Sequence, residues 1–354
     1  MAHGGDIYRN RIKYDFSVNI NPLGRPESVD MAVKEAFSQI QNYPDPEHES
    51  IKKEVAAYSG IHESDILLGN GASELIMALM GFFSGRRILL PAPSFLGYKV
   101  SAEACGCQMS YITLKEEKSF SMSEIISFLN EEGRAGDVLI FANPANPVGN
   151  ILSEVETLVL LDTAAAKGVT TIIDECFMSL IEEPELSAKK YVRNGRNGLA
   201  VLDAFTKSFA IPGIRLGMLY TADREILDGV AKKLPEWNIS CFAEAAGVAA
   251  AKEKSFLKKS AEYIKNEREI LAEGIRRIFS DKNHKIEIFD GIANFILIKC
   301  DLPLYDMLLK RGILIRNCED YIGLGRGFFR IAVKNETDNN IFLTTLKEVI
   351  NIYV

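Results

Sequence analysis

The feature that most narrows the possible folds is an alternation running through the first two thirds of the chain. Short, nearly continuous apolar runs recur at Ile66–Leu68, Arg87–Leu90, Met109–Leu114, Val138–Ala142, Val169–Ile173 and Leu199–Phe205. Most are separated by stretches with helical spacing. Strands that are apolar on both faces belong in a mostly parallel sheet sandwiched by helices, so the expected class is α/β. Before this region, Val29 to Ile40 reads as a helix with Val29, Ala32, Val33, Ala36, Phe37 and Ile40 on one face. Asn42-Tyr43-Pro44-Asp45-Pro46 breaks it. A second helix carries Ile51, Val55 and Tyr58 on one stripe and stops at Gly60. Ser153 with Glu156 three residues on forms a capping box. After Trp237 the pattern changes. Leu257, Ala261, Ile264, Leu271, Ile275 and Ile278 mark one long amphipathic helix. Strands at 286–289, 294–299, 312–316 and 328–333 and a terminal helix follow, as in a smaller α+β domain. The expected organisation is an N-terminal arm over 1–42 packing with the small domain, a large domain over 43–235 and a small domain over 236–354. A chain of 354 residues accommodates two such domains sharing a cleft.

Charge and cysteine usage exclude several functions. The net charge of −7 argues against nucleic acid or an anionic membrane as partner, while leaving room for a local basic pocket. The six cysteines lack metal-ligand spacing, so no metal site is expected. The first fifteen residues lack an apolar leader region. Both readings fit reduced thiols in a cytoplasmic protein.

Functional groups of a parallel sheet collect where its strands end, at the carboxyl edge. Gly69-Asn70-Gly71 lies between a strand and an apolar helix. It is either a tight turn or a cradle where a helix N-terminus meets an anion. Asn143-Pro144-Ala145-Asn146-Pro147-Val148-Gly149 follows another strand. Its two Asn-Pro steps make it either a rigid surface loop or a support that aims the Asn146 amide into a cleft. Asp174 ends a buried strand and needs a partner, a structural arginine or a ligand N–H. Lys207, between Phe205 and Phe209, is poorly solvated, which favours its nucleophilic free amine. Arg215, eight positions on, can pair with a phosphate. Each signal alone has a bland explanation. Together, in this order, they are the groups pyridoxal 5'-phosphate (PLP) requires: an imine-forming lysine, an acid for the ring nitrogen, an amide for the ring hydroxyl, and a phosphate cradle.

The same residues resemble the class I/II aminotransferases, the fold-type-I PLP enzymes, over nearly the whole chain. Asn143 to Gly149 looks like their NPxNPTG loop, Asp174-Glu175 like their DE pair, and Thr206 to Gly217 like their lysine motif. The resemblance implies a mostly parallel seven-stranded sheet with a smaller α+β domain. It further implies that Lys207 carries PLP, Asp174 meets the pyridinium, Asn146 meets the ring hydroxyl and Phe95 stacks on the ring. Gly71, Ala72, Thr206 and Arg215 would hold the phosphate. Tyr43 would reach the cofactor of a partner subunit, implying a homodimer.

Within that group the termini resemble the branch that decarboxylates threonine phosphate in cobalamin synthesis. The matching segments are His3-Gly4-Gly5, Asp15 to Gly24, Ile315 to Leu324 and Phe329 to Val333. The resemblance implies a phosphorylated amino-acid substrate held by His3, Gly4, Asn19, Asn146, Arg316 and Arg330, with L-threonine O-3-phosphate decarboxylated to 1-aminopropan-2-ol phosphate. The alternative within the family is histidinol-phosphate aminotransferase or another aminotransferase. Ala145, Val148, Phe177, Ala204 and Lys334 depart from the family pattern. They touch the choice of substrate more than the cofactor.

Overall fold

The structure, a computed structural model, describes residues 4–113, 122–280 and 284–353. Its large sheet has seven strands in the order Ile66–Asn70, Leu216–Tyr220, Leu199–Ala204, Thr170–Asp174, Val138–Ala142, Arg87–Ala92 and Gln108–Thr113. Leu216–Tyr220 runs antiparallel to both neighbours, and the other pairings are parallel. Every residue of Val138–Ala142 and Leu199–Ala204 is buried, as expected of strands covered by helices on both faces. The strand expected to reach Leu114 is seen to Thr113; Leu114 lies outside the described residues.

The strand Leu216–Tyr220 is absent from the sequence reading of apolar runs. Those runs are mostly separated by longer helical stretches, whereas this strand follows its neighbour after only the short helix Phe205–Ser208 and the loop 209–215. An antiparallel strand needs no helical crossover. The capping box forms as expected: Ser153 Oγ accepts from Glu156 N at 3.3 Å, and Glu156 Oε2 accepts from Ser153 N at 2.8 Å.

The small domain holds a four-stranded antiparallel sheet ordered Arg316–Asn317, Phe328–Ala332, Phe295–Cys300 and Ile286–Ile288. The long helix Lys254–Phe279 and the terminal helix Glu336–Tyr353 pack with it, around a core that includes Phe16, Ile275, Phe329 and Phe342.

The arm and the domain boundary differ from expectation. Tyr14–Asp15 pairs with Ile313–Leu314, and Phe16 O accepts from Ala332 N, so this piece joins the small domain. The helix Glu27–Ala36 instead packs on Cys241–Ala251, and Val29 shares a core with Val55, Ala246 and Leu216 of the large domain. The change from large to small core falls inside Lys254–Phe279, between Leu257 and Leu271. Nor does the apolar face of 29–40 bury whole: Phe37 and Ile40 are 66% and 55% exposed. Among the described residues, no helix is long and apolar enough to cross a membrane.

Candidate functional site

The carboxyl edge of the large sheet faces a cavity of about 250 Å³. Its lining includes Gly4, Asn19, Phe95, Asn146, Phe177, Thr206, Lys207, Arg215, Arg316, Tyr321 and Arg330. A larger cavity, about 540 Å³ beside Tyr58 and Met178, is lined by none of the candidate cofactor or substrate residues. The chemistry collects in the smaller one.

Lys207 sits on the short helix Phe205–Ser208, directly after the strand Leu199–Ala204. Its Nζ lies 5.3 Å from the centroid of the Phe177 ring. The aromatic shielding this lysine is therefore Phe177, not Phe205 or Phe209. Those two rings meet edge to face, centroids 4.9 Å apart, inside the large-domain core. In a helix, residues two apart do not share a face.

Arg215 adopts φ of 66°, donates to Pro212 O at 3.2 Å, and approaches Ser73 Oγ at 3.5 Å. Gly71 faces it with φ of 76° at the N-terminus of Ala72–Phe82. A Cβ on Gly71 would overlap the Arg215 guanidinium. The absent side chain, the cation and the free N–H groups of an eleven-residue helix together make an anion cradle, beside the buried Thr206.

Asp174 is buried, and its partners are a phenol and a backbone amide rather than a structural arginine. Tyr98 Oη donates to Oδ2 at 2.6 Å and Cys176 N donates to Oδ1 at 3.0 Å. Burial first, and the Asp174 charge second, push the Tyr98 phenol well above its ordinary range, so it stays a donor. Tyr98 was not identified in the sequence. The available signal was its position three residues after Phe95, which precedes the helix Leu96–Ala104; the two rings meet edge-on at 5.4 Å.

The small domain contributes two guanidiniums. Arg316 and Arg330 stand opposite each other in antiparallel register, and both are buried. Arg330 donates to Asn146 Oδ1 at 2.5 Å and to Ser17 O at 3.0 Å. Among the described residues, its Nε has no hydrogen-bond partner, and neither does the buried Asn19 Oδ1. Arg316 Nη2 donates to both oxygens of Asp320, and its guanidinium lies 5.2 Å from the Tyr321 ring. Ser17, which also accepts from Gly5 N at 2.7 Å, has no precedent in the sequence reading. Gly4 lies so close that a Cβ there would meet Ser17 O at 2.5 Å. His3 lies outside the described residues. Among the described residues expected at the site, Gly71, Ala72, Asp174 and Tyr43 are not part of the cavity lining; Tyr43 is 80% exposed, its ring 4.8 Å from Trp237.

The family model for aminotransferase class I and II matches residues 11–346. The chain belongs to this family. A relative from Caldanaerobacter subterraneus subsp. tengcongensis, provisionally named threonine-phosphate decarboxylase, is 34% identical, covering 98% of this chain and 93% of its own. A histidinol-phosphate aminotransferase from Pyrococcus furiosus is 29% identical over 93% of this chain and 90% of its own. The solved histidinol-phosphate aminotransferase from Clostridium acetobutylicum superposes with a TM-score of 0.87 at 34% identity, covering 96% and 100% of the two chains. This protein is accordingly a fold-type-I PLP-dependent enzyme, and pyridoxal 5'-phosphate is its cofactor. The residues fit that group: an amine, a buried carboxylate with lone pairs to spare and an anion cradle line one edge of one sheet.

Proposed function

We propose that this enzyme decarboxylates L-threonine O-3-phosphate to 1-aminopropan-2-ol phosphate. In this reading Lys207 binds the cofactor covalently and Asp174 accepts from its ring N–H. Phe95 and the amide of Asn146 contact the ring, and Gly71, Ala72, Thr206 and Arg215 hold its phosphate. When bound, PLP supplies the electron sink into which a bond at the substrate Cα can break. The protein's part is to choose that bond, by holding the carboxylate rather than the α-hydrogen perpendicular to the ring. Arg316, Arg330, Asn19, Gly4 and His3 would do so by gripping the substrate's two anionic groups.

The observation that carries this reading is the pair of buried arginines in cross-strand register, one of them with only neutral partners among the described residues. Like charges opposite each other are unfavourable, and a buried guanidinium without a counter-ion wants an anion. A substrate with a phosphate and a carboxylate answers both. The second reading, transamination of histidinol phosphate, draws on the 34% identity to a solved enzyme of that name. Carbon dioxide release from phosphothreonine, set against glutamate formation from histidinol phosphate and 2-oxoglutarate, separates the two. Amino transfer without gas release ends the decarboxylase reading.

We further propose a homodimer in which Tyr43 reaches the cofactor of a second copy. Its support is the exposed apolar surface of Phe37, Ile40, Tyr43 and Trp237. Light scattering at a monomer's mass would exclude it.

A further inference from the structure

Arg316 belongs to two cavities at once. With Leu96 it separates the inner cavity from an outer one of about 430 Å³, whose lining includes Lys99, Glu103, Glu319 and Asp320. The two arginines of the inner cavity are compensated unequally. Among the described residues, Arg330 donates only to the neutral oxygens of Asn146 and Ser17. Arg316 Nη2, by contrast, donates to both carboxylate oxygens of Asp320, at 2.8 and 3.0 Å.

The chain is shaped to make that pair. Asn317 Oδ1 accepts from Glu319 N at 3.1 Å and Cys318 O accepts from Tyr321 N at 3.0 Å, which folds residue 320 back over residue 316. The Tyr321 ring fixes the guanidinium from a second direction at 5.2 Å. Glu319, the other acid of this turn, is engaged with Arg326 at 3.0 Å. The carboxylate on Arg316 is therefore that of Asp320. Its side chain is 36% exposed, against 6% for Arg316, so one end of the pair is wet while the other faces the site.

We infer that Asp320 is an affinity-setting counter-ion of the substrate pocket: it occupies the outer edge of Arg316 and opposes any anion that binds the same guanidinium from the inner cavity. This deepens the proposed reading of Arg316 and Arg330 as anion ligands, and rests on it. A substrate with two anionic groups engages both arginines against this opposition. A product that has lost its carboxylate has one anionic group fewer, and Asp320 favours its departure. The charge of Asp320, more than its shape, is what matters.

The test uses PLP-loaded protein, in which the cofactor's own phosphate fills the cradle, with inorganic phosphate as probe and calorimetry as readout. Asp320→Asn keeps the shape and removes the charge. It should bind phosphate roughly tenfold more tightly, from the loss of one opposing charge in a medium between surface and interior. Asp320→Glu should stay near wild type. A merely structural role predicts no gain in affinity. Phosphate binding that Asp320→Asn leaves unchanged or weakens overturns the inference while sparing the anion pocket. Absence of phosphate binding in both the wild type and Asp320→Asn overturns the anion pocket itself. Thermal melting of each variant confirms that it is folded.

Discussion

Removing a single oxygen from Tyr98 isolates the hydrogen bond that holds Asp174. The Tyr98 ring is 0% exposed and packs among Leu90, Ala102 and Ile140, so Tyr98→Phe keeps the packing and deletes only the 2.6 Å bond to Asp174 Oδ2. A hydrogen bond to a charged acceptor contributes about 1.5–3 kcal/mol, and water cannot replace it at a buried oxygen. The expected loss in unfolding free energy is therefore about 2 kcal/mol, read by urea denaturation of the cofactor-free protein. Because the phenol is held well above its ordinary range, the loss should be constant through neutral pH. Asp174 would then be aimed by the Cys176 amide, at 3.0 Å, without the phenol. A carboxylate less firmly aimed should lower kcat about tenfold with little change in KM. An unfolding free energy within about 0.5 kcal/mol of wild type, the ordinary range for an inconsequential substitution, would refute the claim that this hydroxyl anchors the acid.

Three further outcomes are expected. Lys207→Ala should abolish the visible absorbance of the lysine–cofactor imine and lower activity about 10³-fold or more; retained absorbance would mean that another amine holds the cofactor. Gly71→Ala puts a Cβ on the Arg215 guanidinium at a φ of 76°. It should cost about 1–3 kcal/mol and weaken PLP retention in dialysis, whereas wild-type retention would remove Gly71 from the cradle. Glu175 is buried beside Ser187, Lys189 and Asp203, and burial raises its carboxyl from 4.5 to about 7. A carboxyl raised in the folded state favours folding while protonated. This contribution is complete below about pH 4.5 and is lost as pH rises through about 7. The change amounts to about 3 kcal/mol at most. Glu175→Gln should flatten the slope of stability between those values; an unchanged slope would exclude Glu175 as its source.

The parts of the molecule legible in the sequence are those with a local cause. Val138–Ala142 and Leu199–Ala204 announce themselves because strands covered on both faces have no polar side to show. Ser153 and Glu156 form a capping box because its two bonds span only three residues. Asp174 and Lys207 stand out because polar groups at the ends of such strands face the cleft. What was not legible depends on chain segments meeting from afar. Arg330 and Ser17, which share a hydrogen bond, lie 313 positions apart. The register that sets Arg316 against Arg330 is decided by how two strands of the small sheet align, and no spacing in the sequence encodes it. Even there one trace survives. An arginine within the apolar run Phe328–Ala332 is costly wherever that run folds, so its presence foretells a polar partner without naming it. Among the described residues, Asn146, Ser17 and an Nε without a hydrogen-bond partner give that requirement its form: neutral acceptors enough to hold the guanidinium in place, and too little negative charge to satisfy it. The Arg330 environment thus leaves charge for an anion to supply, and that shortfall, rather than any matching motif, is the physical reason to look for a phosphorylated substrate here.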